Sequence, residues 1–407
     1  MRALDGIRVL EIGQYISGPY CGLLLAEQGA EVIKVERPGV GDPRRTYEPL
    51  IQRDGRVVSG GFLSYNRNKK SLALNLQDPE GQQLFRRLAR QVDVVVENLR
   101  PGVMDKLGMT YESLSEENPR LVYCAISGFG RLEGFQGAYS GRPAFDTGVQ
   151  AMAGLMSLIG TDDGPPEYCP PGFADIYSAV FASLAISMAL FARERNGRGT
   201  FIDQAMYDAI VSLIERPLMI HALTGQVPTR GVDHFSPVGA LRCADGYVAI
   251  ILPTDEMWRR FCLAIDRPDL LQHPSLITVL NRADHFADVI RPEAEQWTGK
   301  LLRRDVVEHL ISRGVPAGEV QTVDEVFSCS QVEARQMLVD LDDGAAGVVR
   351  VARTPMLFST FEIANGTTPP RLGEHTTDVL RSLVGATDAE LATWRAQGVI
   401  EDAERPG

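Results

Sequence analysis

The first 220 residues of this 407-residue chain contain no histidine. All six, His221, His234, His273, His285, His309 and His375, come later, so acid–base work in the large N-terminal region must proceed without imidazole. They show no HxxxH spacing and no carboxylate partner at ligand spacing, so no metal site is expected. Cysteine is also sparse. Cys21, Cys124, Cys169, Cys243, Cys262 and Cys329 form no CxxC pair, and several lie in apolar runs. They read as reduced core thiols of a cytoplasmic protein, not as a disulfide framework or a zinc site. A basic excess is missing: 41 Lys and Arg face 53 Asp and Glu, a net charge of −12. That excludes a general binder of nucleic acid or acidic membranes, although local basic clusters could still hold a small polyanion. Met1-Arg2-Ala3-Leu4-Asp5-Gly6 has no signal-peptide core, and no uncharged apolar run reaches about 18 residues, so no membrane span is expected. There is no repeat, no low-complexity tract and no GxSxG elbow.

What is present is a large apolar complement, 44% of residues, enough for two domains or more. Arg8–Ile12 reads as a short strand, Gly18–Gln28 as a helix ended by Gly29, and Glu31–Glu36 as the next strand, a βαβ opening. Pro79–Arg90 reads as a helix, with Val92–Val96 and Leu121–Ser127 as buried strands. Near-continuous Val/Ile runs between helices imply a parallel sheet covered on both faces. Long helices are then expected over Phe145–Ile159, Ile176–Arg193 and Met206–Leu223, with a strand at Phe201–Gln204. Residues 224–237 read as a linker. A smaller α/β unit follows over 238–330, with a strand at Tyr247–Leu252 and helices near Glu256–Ile265 and Arg304–Arg313. Strand Gly347–Val351 and a helix-rich tail from His375 close the chain.

Asp175 carries the most information. It stands between a Pro/Gly-rich loop and the apolar helix from Ile176. An aspartate there caps a helix by accepting its orphan N–H groups. It also suits a nucleophile, because the helix N-terminus favours the anion and a carboxylate can attack an activated acyl group. Both readings stay open on these residues alone. The first βαβ invites a dinucleotide reading, with Glu36 near the place of a ribose ligand. The turn Gly13-Gln14-Tyr15-Ile16-Ser17-Gly18-Pro19 is not GxGxxG, however, which argues against it. Three basic clusters offer phosphate contacts: Glu36-Arg37-Pro38, Asn66-Arg67-Asn68-Lys69-Lys70-Ser71, and Asn98-Leu99-Arg100-Pro101-Gly102. All three are expected on one rim, at the carboxyl ends of parallel strands.

Taken in order, these residues resemble the family III CoA-transferases, the formyl-CoA transferase and carnitine CoA-transferase group. The marks are Leu4–Glu11, Gly18-Pro19, Gln28–Pro38, the Asn66–Ser71 cluster, Glu97–Gly102, Phe145-Asp146 with Gln150-Ala151, Ala174-Asp175, Arg193–Gly199, Arg313–Gly318 and Gly373–Thr376. The resemblance implies an α/β fold with a large Rossmann-like domain built from both chain ends (1–223 with 331–407), a small inserted domain, and two subunits interlocked as a homodimer. It implies Asp175 as the nucleophile that takes an acyl group from a CoA thioester and then CoA itself. Gln14 would bind a developing oxyanion. Arg37, Lys70, Asn98, Arg100 and Lys106 would lie on the CoA side. CoA would be a substrate, with no permanently bound cofactor, and the partners would be an acyl-CoA and a small carboxylic acid.

One departure stands out. Formyl-CoA transferase-like members carry a glycine-run loop, whereas this chain reads Gly231-Val232-Asp233-His234-Phe235-Ser236-Pro237-Val238-Gly239. Oxalate is therefore not the expected acceptor, and the loop with His234 is expected to shape a different acid site. Arg142, Arg216 or Arg230 could bind a second carboxylate. Alternative activities on such a fold are CoA transfer within one dicarboxylic acid, racemisation of a 2-methylacyl-CoA, and CoA binding without catalysis. Racemisation needs a histidine–aspartate pair, and the matching stretch Ser140–Asp146 has no histidine.

Overall fold

A computed structural model describes residues 1–53, 56–170, 172–233, 235–343, 347–363 and 366–403. The chain opens with β1 (Arg8–Ile12), a helix over Ser17–Glu27 and β2 (Glu31–Glu36). A hairpin of β3 (Leu50–Arg53) and β4 (Arg56–Ser59) then leads through a short helix to β5 (Lys69–Leu74). The helix Pro79–Ala89 precedes β6 (Val94–Glu97), and β7 (Val122–Ser127) follows. The helix Phe173–Asn196 precedes β8 (Thr200–Ala205). The smaller unit contributes β9 (Val238–Cys243), β10 (Gly246–Ile251) and β11 (Ala317–Glu319). Finally β12 (Leu338–Asp342) pairs with β13 (Val348–Ala352), and β14 (Ile400–Glu401) lies near the end.

Seven strands form one sheet in the order β14-β5-β2-β1-β6-β7-β8. All neighbours are parallel except β14, which runs antiparallel to β5. From β5 to β8 this is the 3-2-1-4-5-6 order of a Rossmann sheet. The edge strand β14 shows that both chain ends build it, as expected. Its core packs Leu10, Ile33, Leu72 and Val95 against Leu84, Phe85 and Leu88 of the Pro79–Ala89 helix and Leu380 and Trp394 of the tail. Apolar residues at 84, 85 and 88 form the stripe that turns that helix onto the sheet.

The chain divides into two compact units. The larger holds Met1–Met156, Tyr168–Glu215 and Glu333–Gly407; the smaller holds Ser157–Glu167 and Arg216–Val332. The smaller unit has its own core, with Leu241, Val248, Trp258, Phe261, Val306 and Leu310 buried together. In it, β10 lies between β9 and β11 and pairs antiparallel with both.

Two expected long helices are broken. The helix at Asp146–Met152 stops before Gly154, whose φ of +88° leaves the helical region. Only a 3-10 turn, Leu155–Leu158, continues the stretch. The segment from Met206 divides into Met206–Leu213 and Glu215–Thr224. Pro217 has no N–H to bond back across that junction. The Phe173–Asn196 helix runs unbroken. It is long and apolar enough to cross a membrane by length and composition, and a third of its apolar window is buried within the chain. It packs against the Ser17–Glu27 helix and against β7 and β8, while Val180, Leu184, Met188 and Phe191 form an exposed stripe.

Under the sheet's carboxyl ends lies a buried ionic cluster with no solvent access. Lys34 Nζ meets Glu11 Oε1 at 3.1 Å and Asp42 Oδ2 at 2.9 Å, and Lys69 Nζ meets Glu11 Oε2 at 2.7 Å. Lys34 also donates to Gly13 O at 2.6 Å, and Lys69 to Pro19 O at 2.8 Å. Two anions balance two cations, and backbone carbonyls take further donors, which is what a buried pair requires to offset desolvation. Burial still pushes the Lys69 ammonium down to about 8. Removing Glu11 would leave Lys69 without a carboxylate. Glu11→Ala is therefore expected to cost about 3–5 kcal/mol of stability. Equilibrium denaturation of the variant checks this; a loss under 1 kcal/mol would contradict it.

Candidate active site

Strand order reverses at β1, which has β2 on one side and β6 on the other. Loops leaving the carboxyl ends of such neighbours diverge and open a crevice. Here Ile12 is in register with Glu97, so Gln14 and Asn98 face each other across the crevice. The Gln14 N–H donates to Asn98 Oδ1 at 2.8 Å, and Asn98 Nδ2 donates to Gln14 O at 2.8 Å and to Ser17 Oγ at 2.9 Å. This approach needs glycine: a Cβ on Gly18 would stand 3.0 Å from Gly13 Cα and 3.1 Å from Asn98 Oδ1. Next to Gln14, Tyr15 holds φ 63°, a left-handed conformation that strains a bulky residue. Its N–H is held by Asp42 Oδ1 at 3.3 Å.

Asp175 sits in the first turn of the Phe173–Asn196 helix, and the cap position belongs to Gly172. The helix-cap reading of Asp175 is thereby corrected. Another residue does the capping from a distance: Asp146 Oδ1 accepts the Ala174 N–H at 2.6 Å and the Asp175 N–H at 3.2 Å. Its Oδ2 accepts Gln150 Nε2 at 2.7 Å, and Gln150 in turn bonds both backbone groups of Cys169. The loop before the helix is thus tied to the helix start by side chains.

The Asp175 carboxyl is freed from capping and lines a cavity of about 570 Å³. Gln14, Ser17, Arg44, Asn98, Arg100, Arg142, Asp146 and Met206 share its walls. Burial, and next the Asp146 charge, push the Asp175 acid up from 3.8 to about 7; a Ser17 hydrogen bond and the Arg44 charge oppose them. A helix N-terminus is worth about 0.3–1 kcal/mol to an anion. That is too little to offset a rise worth about 4 kcal/mol, so desolvation wins.

Of the residues singled out in the sequence, the fold brings Gln14, Asn98, Arg100, Arg142 and Asp175 to one cavity. Arg37, at the carboxyl end of β2, and Lys106, beyond Gly102, are exposed and outside its lining. Lys70 does not share the rim. It lies at the amino end of β5, opposite Ile33, and pairs with Glu31 at the start of β2. A cluster that precedes a strand sits on the opposite edge from clusters that follow one, so the single-rim expectation fails for Asn66–Ser71. Arg216 pairs with Asp233, and Arg230 donates to the carbonyls of Thr161 and Gly164, all within the smaller unit. His234 lies outside the described residues. Among the described residues no group of His, Cys, Asp and Glu could hold a metal ion.

Sequence reasoning gave no role to Ser17, Asp146 or Arg44. Arg44 had a readable signal. Asp42-Pro43 is an N-cap followed by proline at the first helical position, and Asp42 Oδ1 accepts the Arg44 N–H at 2.9 Å.

Both ends of the Asn98 amide are committed to the Gln14 loop. Asn98→Ala is expected to lower kcat about 10- to 100-fold through misplacement of Gln14, with the KM for acyl-CoA nearly unchanged. A rise in KM at constant kcat would instead mark a CoA contact.

Fold and site define an α/β enzyme of Rossmann strand order whose crevice has no GxGxxG turn after β1 and presents the Asp175 carboxylate from the Phe173–Asn196 helix. The family model for CoA-transferase family III matches residues 4–376, and the chain belongs to that family; it is a CoA-transferase. It is 38% identical over 387 residues to a succinyl-CoA:mesaconate CoA-transferase of Haloarcula marismortui, covering 93% of this chain and 96% of that protein. It is 35% identical over 389 residues to a succinate–glutarate CoA-transferase of Agrobacterium fabrum, covering 93% and 95%. The crystal structure of a CAIB/BAIF family protein from Brucella suis superposes with a TM-score of 0.82 at 33% identity, covering 94% of this chain and 99% of that one.

Proposed function

We propose that the enzyme moves CoA between two dicarboxylic acids through covalent intermediates on Asp175, with succinyl-CoA a donor. The relatives named for succinyl-CoA, mesaconate, succinate and glutarate support the substrate class. The observation that carries the mechanism is the desolvated Asp175 carboxyl, free of capping and facing the same cavity as Gln14. An Asp175 oxygen attacks the thioester carbonyl, and the C–S bond breaks to give a mixed anhydride and CoA thiolate. The thiolate attacks the aspartyl carbonyl, the anhydride C–O bond breaks, and the first acid leaves as its carboxylate. The acceptor carboxylate then attacks the aspartyl thioester, expelling thiolate, which re-attacks the new acyl carbonyl and restores Asp175. Each intermediate keeps the thioester's activation, so no nucleotide is consumed. Gln14 lines the same cavity, and we assign its side-chain amide as the donor to the oxyanion at each addition.

Among the basic residues, Arg100 lines the cavity, and Arg37 and Lys106 stand exposed beyond the carboxyl ends of β2 and β6. We assign all three to the CoA phosphates. Lys70, paired with Glu31, carries no such assignment. The exposed apolar stripe Val180, Leu184, Met188 and Phe191 supports a homodimer, interlocked in the manner of the family. A light-scattering mass of one 44.6 kDa chain at micromolar concentration would overturn that. All six cysteines are free, which supports a reducing, cytoplasmic setting.

The mechanism is tested by intact-protein mass spectrometry after mixing with succinyl-CoA. A hydroxylamine-sensitive adduct absent from Asp175→Ala is expected. The same adduct in that variant would place the nucleophile elsewhere.

A further inference from the structure

Three arginines of the larger unit that lie outside the cavity lining are occupied. Arg45 gives Nε and Nη2 to Glu36 and Nη1 to Pro370 O. Arg67 is paired with Glu27, and Arg131 with Glu97. Arg44 is different. Its backbone is fixed at both ends, by Asp42 Oδ1 on its N–H and by the Ser59 hydroxyl on its carbonyl at 2.7 Å. Its Nε donates to Gly61 O at 2.8 Å, and its guanidinium lies 5.4 Å from the Tyr47 ring and 5.0 Å from the Tyr65 ring. Among the described residues, no carboxylate pairs with Arg44 and no protein acceptor takes Nη1 or Nη2. This half-buried, immobilised cation lines the Asp175 cavity, and its charge is felt at Asp175.

A guanidinium held by Nε and flanked by aromatic rings presents its two terminal nitrogens as a fixed fork. That fork matches a carboxylate in bidentate fashion. Holding it in advance removes most of the entropy a long side chain would lose on binding. The cavity also has an electrostatic need for it, since Asp146 and Asp175 both line it and a dicarboxylic substrate brings further negative charge. Arg142 offers less: it is exposed and rests on the Tyr139 ring.

We propose that Arg44, with Tyr47 and Tyr65 beside it, is the subsite for the distal carboxylate of a dicarboxylic acyl group. It selects a thioester with a free ω-carboxylate over one with a methyl end. The proposal rests on the dicarboxylic reading of the substrate and deepens it.

The test compares succinyl-CoA with butyryl-CoA, a chain of equal length ending in methyl. Dissociation constants are measured by calorimetry in Asp175→Ala protein, with and without Arg44→Gln. With Arg44 intact, succinyl-CoA should bind about 10- to 100-fold more tightly, the range expected of a charge-assisted bidentate contact. Arg44→Gln should abolish that preference while butyryl-CoA binding stays within about 3-fold, which also reports that the variant is folded. Arg44→Lys should restore only part of it, because an ammonium cannot form the fork. A preference unchanged in Arg44→Gln, or no preference with Arg44 present, overturns the proposal. Should Asp175→Ala consume the thioester, the nucleophile assignment falls, and the same preference is read from initial rates.

Discussion

Asp175→Asn is expected to abolish CoA transfer, with a loss of at least about 10⁴-fold, because the other carboxylate of the cavity, Asp146, is engaged with Gln150 and with the N–H groups of Ala174 and Asp175. A sharper expectation concerns the wild type. The attacking species is the carboxylate, and burial with the neighbouring Asp146 charge holds Asp175 as an acid up to about 7. The kcat/KM for acyl-CoA should therefore climb about tenfold per pH unit below 7 and level off above it, since this parameter reports the free enzyme. The 3′-phosphate of CoA titrates near 6 and could mimic such an inflection. Asp146→Asn separates the two. Asparagine keeps the oxygen that accepts the Ala174 and Asp175 N–H groups but removes the negative charge. The inflection should then move down by about one pH unit, whereas one owed to phosphate would stay in place. A flat profile from pH 5 to 8, or an inflection indifferent to Asp146→Asn, would contradict the assignment.

Parts of this site were legible in the sequence and parts were not, for physical reasons. The strands Arg8–Ile12 and Glu31–Glu36 announce themselves as short apolar runs, and the structure places them where the pattern did. Their order in the sheet is long-range information, yet the turn Gly13–Pro19, which is not GxGxxG, already argued against a dinucleotide. Asp175 was visible because an acid at the head of an apolar helix is conspicuous. Its freedom from capping was not, since the cap comes from Asp146 across a loop, and local spacing cannot show that. Lys70 misled because it belongs to a basic cluster that offers phosphate contacts, whereas that cluster precedes β5 and so lies at the amino edge of the sheet. Asn98 was placed on the CoA side by the family resemblance; its bonds to Gln14 and Ser17 were not legible because they depend on β1 and β6 being neighbours. Arg44 was overlooked between the charged residues around it, though its Asp42-Pro43 cap is a local signal.

The same Asp175→Asn substitution is expected to make the protein more stable. The folded-state acid lies near 7 and the ordinary value is 3.8, so the folded state holds a proton that the unfolded state releases between those values. Stability therefore falls as pH rises through this window, by up to about 4 kcal/mol at 1.36 kcal/mol per pH unit. The cost is absent below 3.8 and complete above 7. A neutral amide of nearly equal shape removes the charge but loses some of the stabilisation from Ser17 and from the helix N-terminus. The net gain at pH 8 should be about 2–4 kcal/mol, visible as a rise of several degrees in the unfolding temperature, and it should shrink toward zero near pH 4. An aspartate that served its helix as a cap or dipole partner would give the opposite sign: Asp175→Asn would destabilise at pH 8, and the loss would fade in acid. Thermal unfolding of the two proteins at pH 4, 6 and 8 decides between these trends. A stabilised but inactive variant would mean that the fold tolerates an unfavourable buried charge at the position where transfer needs a nucleophile.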